Sequence, residues 1–311
     1  MTDKQVPQFR KMALIGIGLI GSSIARAARQ RGLVAEITCS ARTQDTRRTA
    51  LELGVVDEAF EHSVDAVKDA DLVVFCTPIG TYGTIAEEIA PALKKGALVT
   101  DVGSVKQKVV EAIEPHIPDG VDFVAGHPIS GTEKSGPAAG FAELFDHRWW
   151  IVTPSKKSTE AAIQKLTAFC EGLGSSVEKM DPPHHDLVLA ITSHIPHLVA
   201  YNIVGTADDL EEVTQSEVIK YSAGGFRDFT RLAASDPTMW RDVFLHNKEA
   251  VLEMLARFSE DLTALQRAIR WGDGDALFQM FSRTRAIRRQ IIDAGQETPE
   301  ANFGRSASSD E

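Results

Sequence analysis

MALIGIGLIGSSIARAARQRG, residues 12–32, is the stretch on which the reading of the whole chain turns. Its first six residues are apolar or glycine and suit a buried strand, whereas residues 20–31 set small and apolar side chains at helical spacing among arginines. Between the two lies Gly16-Ile-Gly18-Leu-Ile-Gly21, the GxGxxG spacing. In a strand-turn-helix setting the three glycines permit, respectively, a tight turn, close approach of a pyrophosphate to the backbone, and close packing of helix on strand. The helix N-terminus adds partial positive charge. The spacing alone also occurs in ordinary glycine-rich turns. With its strand and helix it predicts a dinucleotide site built by Gly16, Gly18, Leu19, Ile20 and Gly21.

Working outward, β-rich runs begin at Glu36 (EITCS), Asp71 (DLVVFCTP), Ala97 (ALVTDVG), Asp122 (DFVAGHP) and Arg148 (RWWIVTP). Amphipathic stretches at 81–93 and 105–115 separate several of them. Strands alternating with helices predict a parallel, doubly wound α/β sheet of Rossmann type. RWWIVTP and SSVEKM flank a helical segment at 160–173 and read as one more unit at the sheet edge. After MDPPHHD the β pattern stops. The rest reads helical, with long amphipathic runs at 239–269 and 275–294. Pro182-Pro183 is the natural boundary, because proline resists helix continuation. The expected organisation is therefore a dinucleotide-binding domain at 1–182, a helical substrate-binding and dimerisation domain at 183–295, and a disordered tail at 296–311. A chain of 311 residues exceeds the size at which one core keeps growing, which agrees with two domains. The apolar faces of the helical half exceed what a thin layer would hide, which points to a homodimer, with a larger intramolecular core as the alternative.

The formal net charge of −11 argues against nucleic acid or an anionic membrane as partner, and leaves room only for a local basic pocket. The polar N-terminus has no apolar h-region, and no uninterrupted apolar stretch reaches the length of a membrane span. Cys39, Cys76 and Cys170 are scattered, with no CxxC pairing, and read as reduced structural thiols. A cytoplasmic protein is expected.

The glycine fingerprint calls for an acidic residue about 20 positions further on, to hold the adenosine ribose. The chain has Thr38-Cys39-Ser40-Ala41-Arg42 there. Ser40 and Arg42 suit a 2′-phosphate and lean toward NADP; Arg42 stacked on adenine would equally serve NAD, and Asp45 enters if the strand ends later. Thr77 and Pro78 close a strand at the edge where such folds bind ligands. Two further strands end there in polar groups: ALVTDVGSVK brings Ser104, placed to cap a helix starting at Val105, and DFVAGHPISGTEKSG brings His127. A neutral imidazole there suits removal of a hydroxyl proton as hydride leaves the same carbon; a structural histidine is the bland alternative. In the helical half, SHIPH sets His194 and His197 on one face if the helix survives Pro196, and FRDFTRLAASDPTMW carries Arg227 and Arg231 as candidate carboxylate receptors. A zinc site at the two histidines lacks a third ligand, so no metal is expected.

Taken together and in this order, GIGLIG, TDVGSVK, GHPISGTEKSG, SHIPH and FRDFTRLAASDPTMW resemble the prephenate and arogenate (cyclohexadienyl) dehydrogenases of tyrosine biosynthesis, over about residues 12–294. The resemblance implies oxidative decarboxylation with hydride transfer to NAD or NADP. It implies that His127 accepts the ring C4 hydroxyl proton and that Ser104 bonds the hydroxyl and orients the histidine. His197 and Arg231 would bind the substrate's carboxylates and side chain, and Glu133 would lie at the pocket entrance. Some members carry an extra chorismate mutase or regulatory domain, for which this chain is expected to have no room. A general nicotinamide hydroxyacid dehydrogenase would place a catalytic lysine where SHIPH stands. A non-enzymatic dinucleotide-binding regulator would have no use for His127, His197 and Arg231 at one cleft.

Overall fold

The computed structural model describes residues 7–132, 134–209, 220–221 and 223–293. Within them the chain divides into two compact units, the first ending at Leu252 and the second beginning at Glu253.

The first unit opens with β1 (Phe9–Ile15), α1 (Leu19–Gln30), β2 (Val34–Ser40), α2 (Gln44–Glu52), β3 (Glu58–Phe60), α3 (Ser63–Ala66), β4 (Leu72–Phe75), α4 (Tyr82–Ile89), β5 (Leu98–Asp101), α5 (Gln107–Ile113) and β6 (Asp122–Phe123). Six strands form a parallel sheet in the order β3-β2-β1-β4-β5-β6. This is the doubly wound order whose direction reverses between β1 and β4, and ligands bind at the carboxyl edge of that switch point. The central strands are buried on both faces: β4 reads LVVF with every residue buried. Such continuous apolar runs are what a parallel sheet covered by helices requires. One core lies under α1 and includes Met12, Leu14, Ile24, Leu72 and Val74; the other lies under α4 and α5 and includes Ile15, Phe75, Tyr82, Val99 and Val109.

Two expectations are corrected here. The run DFVAGHP is not one strand: it divides into β6 and β7 (Ala125–Pro128), and β7 leaves the parallel sheet. RWWIVTP and SSVEKM, which form β8 (Trp149–Thr153) and β9 (Ser176–Lys179), accordingly do not extend the first sheet. They build a separate three-stranded sheet in the order β7-β8-β9, antiparallel between β7 and β8. Glycine at position 126 permits the close passage of β7 beside β8 and the end of β5: a Cβ there would come within 2.8 Å of Trp150 Nε1 and 3.3 Å of the Asp101 carbonyl.

Beyond α6 (Glu160–Gly172), Pro182 and Pro183 stand in the first turn of α7 (Pro182–Leu189), where a missing N–H costs nothing. The helical line runs on through a π-turn at Ala190–His194 into α8 (Ile195–Asp209). The widened turn lies directly before Pro196 and accommodates the N–H that proline lacks, so the helix survives. This run, Pro182–Asp209, contains an 18-residue window of mean hydropathy 1.5, long and apolar enough by composition alone to cross a membrane, although polar residues interrupt it throughout. Averaging hides its polar members: His185, Asp186 and His194 are buried in the protein. The helix Pro237–His246 then adds Trp240 and Val243 to the core under α4 and α5. The single helix expected at 239–269 is broken at Asn247, and a second helix, Lys248–Trp271, follows.

The second unit comprises the remainder of that helix from Glu253 and the helix Gly274–Asp293. It leaves Leu262, Ile269, Trp271, Phe278, Phe281 and Ile287 exposed. The tail assigned to 296–311 lies outside the described residues.

Candidate active site

The glycine turn has the division of labour that its spacing demands. Gly16 sits at φ +94°, and a Cβ there would come within 2.9 Å of the Cys76 carbonyl carbon and oxygen and of Thr77 Cγ2. A Cβ on Gly21 would approach the Gly16 carbonyl to 2.6 Å. These two glycines let β1, β4 and α1 touch. Gly18 is different: nothing lies within 4 Å of its added Cβ. Gly18 stands at the N-cap of α1, ahead of Leu19 and Ile20, with no side chain capping the helix. Free helix N–H groups beside open space fit a pyrophosphate. Thr77 and Pro78 follow β4, so they face Gly16 across the switch point, and Thr77 Oγ1 pairs with Thr81 Oγ1 at 2.8 Å.

At the end of β2, Ser40 is buried and its Oγ meets Ser63 Oγ at 3.1 Å. Arg42 is exposed. Its carbonyl and that of Ala41 accept from Arg47 Nη1, at 2.9 and 2.6 Å, so a second arginine braces the same turn. Asp45 lies inside α2, paired with Arg48 at 2.9 Å, rather than on the strand end.

The chemical cluster starts from a fully buried ion pair. Lys106 Nζ donates to Asp101 Oδ2 at 2.5 Å and to the Gly126 carbonyl at 2.7 Å. Asp101 accepts in turn from the backbone N–H groups of Gly126 (3.1 Å) and Gly103 (2.7 Å). Burial pushes the Asp101 carboxyl up and the Lys106 ammonium down, and their mutual attraction opposes both shifts. The pair clamps the peptide immediately before His127, and so fixes where that imidazole starts.

His127 is nearly buried, and its Nδ1 lies 2.9 Å from Nε2 of His185. Nδ1 of His185 lies 2.8 Å from Asp186 Oδ1. Asp186 also accepts from the backbone N–H of Lys106 (2.7 Å) and of Gln107 (2.9 Å). This corrects the role given to Ser104 as helix cap: α5 begins at Gln107, and its free N–H groups are met by Asp186 from a distant helix. Ser104 itself is half-buried, and its backbone faces the His194 ring.

Asn247, at the helix break, donates through Nδ2 to the Asp186 carbonyl at 2.8 Å and lies 3.1 Å from His194 Nδ1. His194 therefore carries its proton on Nε2, on the side of the ring toward the Ser104 backbone. Trp240 links the two histidines of SHIPH. Its ring stacks on His197 at 3.6 Å and 22°, and meets His194 edge-on at 6.0 Å. His197 Nδ1–H donates to the Ser193 carbonyl at 2.9 Å. Arg231 lies near enough to lower the His197 pKa electrostatically, after burial.

Burial, then the neighbouring His185, Lys106 and His194, hold the His127 imidazole well below its ordinary value. Burial also lowers His185, against the pull of Asp186, and brings His194 down to about 4. The buried histidines are thus neutral at physiological pH. A neutral imidazole fixed at the carboxyl edge of the sheet can accept a proton from a hydroxyl.

The fold brings His127, Ser104, His197 and Arg231 into one contiguous set, apart from the adenosine-side pair Ser40 and Arg42. Glu133 lies outside the described residues. Sequence reasoning misses Lys106, His185, Asp186 and Asn247. In the sequence PHHD reads only as a boundary beside two prolines, and VGSVK as a source of Ser104 alone.

Residues 24–179 match the family model described as prephenate dehydrogenase, nucleotide-binding domain, and residues 181–283 the one described as prephenate dehydrogenase, dimerization domain. The chain is 40% identical over 280 residues to a cyclohexadienyl dehydrogenase of Zymomonas mobilis, spanning 90% of this chain and 95% of that protein. It is 35% identical over 276 residues to a prephenate dehydrogenase of Bacillus subtilis, spanning 88% and 74%. Among solved structures, the prephenate dehydrogenase of Aquifex aeolicus in complex with hydroxyphenyl propionate and NAD+ superposes with a TM-score of 0.85 at 34% identity, over 91% of this chain and 98% of that one.

The contrast between the glycines is testable by substitution. Gly16→Ala is expected to cost about 1–3 kcal/mol of stability through overpacking and strain. Gly18→Ala should leave the melting temperature unchanged yet weaken dinucleotide binding at least tenfold by titration calorimetry. Equal melting losses for the two variants would contradict the assignment.

Proposed function

The chain belongs to the prephenate dehydrogenase family, and we propose from this premise that it oxidises the ring C4 hydroxyl of prephenate, arogenate or both, with loss of the ring carboxylate as CO2, to give 4-hydroxyphenylpyruvate or tyrosine. The observation that carries the reading is the neutral, clamped imidazole of His127 at the edge where the glycine turn would hold a nicotinamide dinucleotide. That cofactor, when bound through Gly16, Gly18, Leu19, Ile20 and Gly21 with Thr77 and Pro78 alongside, supplies the hydride acceptor.

The chain's own residues do the rest. His127 takes the hydroxyl proton as the C–H bond at the same carbon gives up its hydride, and this pairing keeps an oxocation from forming. Ser104 donates to or accepts from that hydroxyl and sets its direction. Arg231 receives a carboxylate, for which arginine offers a paired donor fork; His197, whose Nδ1–H is spent on the Ser193 carbonyl, contacts the substrate's side chain through Nε2, with its ring held by the Trp240 stack. Loss of CO2 makes the ring aromatic, which renders the step irreversible.

Several finer features belong to the same proposal. Ser40 and Arg42, with no carboxylate on the β2 end, favour the 2′-phosphate of NADP. The exposed Trp271, Phe278 and Phe281 are the face through which two copies would associate, because an apolar surface of this kind is unfavourable in water. The free thiols Cys39 and Cys170 are buried, which suits a reducing, cytoplasmic setting.

Steady-state rates with prephenate and arogenate, each against NAD and NADP, test the substrate and cofactor assignment. NAD(P)H formation with at least one of the two acids is expected, and none with either would overturn it. His127→Asn should keep the fold while turnover falls by about two to four orders of magnitude. Arg231→Ala should raise the substrate KM at least tenfold; an unchanged KM would remove Arg231 from the carboxylate site.

A further inference from the structure

Three groups outside the assigned chemistry converge on His127: Lys106 with Asp101, His194 with Asn247, and the adjacent pair His185-Asp186. The third makes direct ring contact. The two imidazoles stand 5.1 Å apart between centroids at 66°, a geometry in which nitrogen faces nitrogen rather than ring facing ring. His185 is fully buried, so neither of its nitrogens has water as an alternative partner.

We propose that His185 and Asp186 are positioning residues that dictate the tautomer of His127, holding its proton on Nδ1 and so presenting Nε2 as the bare base. The proposal rests on the reading of His127 as the proton acceptor. A carboxylate can only accept, and Asp186 Oδ1 faces His185 Nδ1 at 2.8 Å, so that nitrogen carries the hydrogen. A neutral imidazole has one N–H, which leaves His185 Nε2 with a lone pair. That lone pair lies 2.9 Å from His127 Nδ1, which must then be the donor. Nε2 of His127 is left unprotonated. When it takes the substrate's hydroxyl proton, no further proton moves; the Nδ1–H of the new imidazolium stays bonded to His185, whose dipole is fixed by Asp186.

The surroundings support this polarity. The groups facing the two rings are Asp101 and Lys106 from the end of β5 and the start of α5, and His194 from the π-turn. Lys106 donates to Asp101 and to the Gly126 carbonyl, and these bonds go to neither ring. Asp186 is itself immobilised by the Lys106 and Gln107 backbone donors, so it cannot swing away from His185. The arrangement is a carboxylate oriented by a helix start, an imidazole oriented by the carboxylate, and a base oriented by the imidazole. Carboxylate-held tautomers of this kind matter greatly in other enzymes, where the wrong tautomer lowers turnover by about 10⁴.

The test uses the full chain labelled with ¹⁵N-histidine, at a pH where the imidazoles are neutral, with His127 signals identified by their loss in His127→Asn. Long-range ¹H–¹⁵N correlations are expected to show His127 protonated on Nδ1 and bare on Nε2, and His185 neutral with its proton on Nδ1. A neutral His127 protonated on Nε2, or a doubly protonated His185, would overturn the proposal whatever the enzyme's activity. In kinetics, His185→Leu should cut kcat by about 30–100-fold, part of the general-base contribution, with KM and dinucleotide affinity within about twofold. His185→Gln, which keeps an acceptor opposite Nδ1, should recover most of that loss; equal rates for the two variants would reduce His185 to a space-filler. A chain that turns over neither acid yet shows the expected tautomer would sink the functional reading and leave the tautomer assignment standing.

Discussion

Asp186 accepts N–H groups from two distant parts of the chain: the backbone of Lys106 and Gln107 at the start of α5, and the side chain of its neighbour His185. Those donors follow a strand end of the parallel sheet on one side and open the helical region on the other. One carboxylate therefore fixes α7 to the sheet edge and, in the same contact, sets the direction of a buried imidazole. Removing it would leave two helix-start donors and a histidine unsatisfied in a dry interior, where each lost partner costs about 1–3 kcal/mol.

The chemistry follows from keeping the interior dry while keeping every charge paired. Lys106 and Asp101 are both fully buried, and breaking one such partner away costs about 3–5 kcal/mol because the other charge is stranded. The pair is retained where its donors and acceptors also grip Gly126, so a cost in desolvation is turned to positional control of the next residue, His127. The same dryness denies the imidazoles a charge. Neutral histidines at this edge suit the proposed base at ordinary pH, and the proposed carboxylate receptor is Arg231.

Much of this was legible in the sequence where the physics is local. The GxGxxG turn announces itself because strand, turn and helix are contiguous, and the structure gives Gly16 and Gly21 the close approaches that the spacing requires. Ser104 was legible as a residue beyond a strand end because strands that alternate with helices deliver their ends to one edge, whereas His127 stands on β7, outside that parallel sheet, where the same rule does not reach. The departure of β7 from the sheet was not legible: DFVAGHP is a uniform β-rich run, and the partner that β7 takes instead, β8, lies more than twenty residues away. Asn247 was hidden inside an unbroken amphipathic run, since its break serves a contact with Asp186 that periodicity cannot register. His185 and Asp186 were visible only as a polar patch after two prolines. Their partners lie some 60 and 80 positions distant, and a distant partner is what a single sequence cannot name.

In the proposed reaction a histidine held neutral by burial removes the hydroxyl proton as hydride departs. The pH dependence of kcat/KM tests it most directly, since that quantity reports the essential base of the free enzyme. The base is available above the folded pKa of His127 and lost as pH falls through it, and that pKa lies well below the ordinary 6.5. The account predicts kcat/KM level from pH 8 down through about 6.5, with the acid limb entirely below that value and absent from the residual activity of His127→Asn. An acid limb centred at or above the ordinary histidine value, or one that survives in His127→Asn, would contradict it.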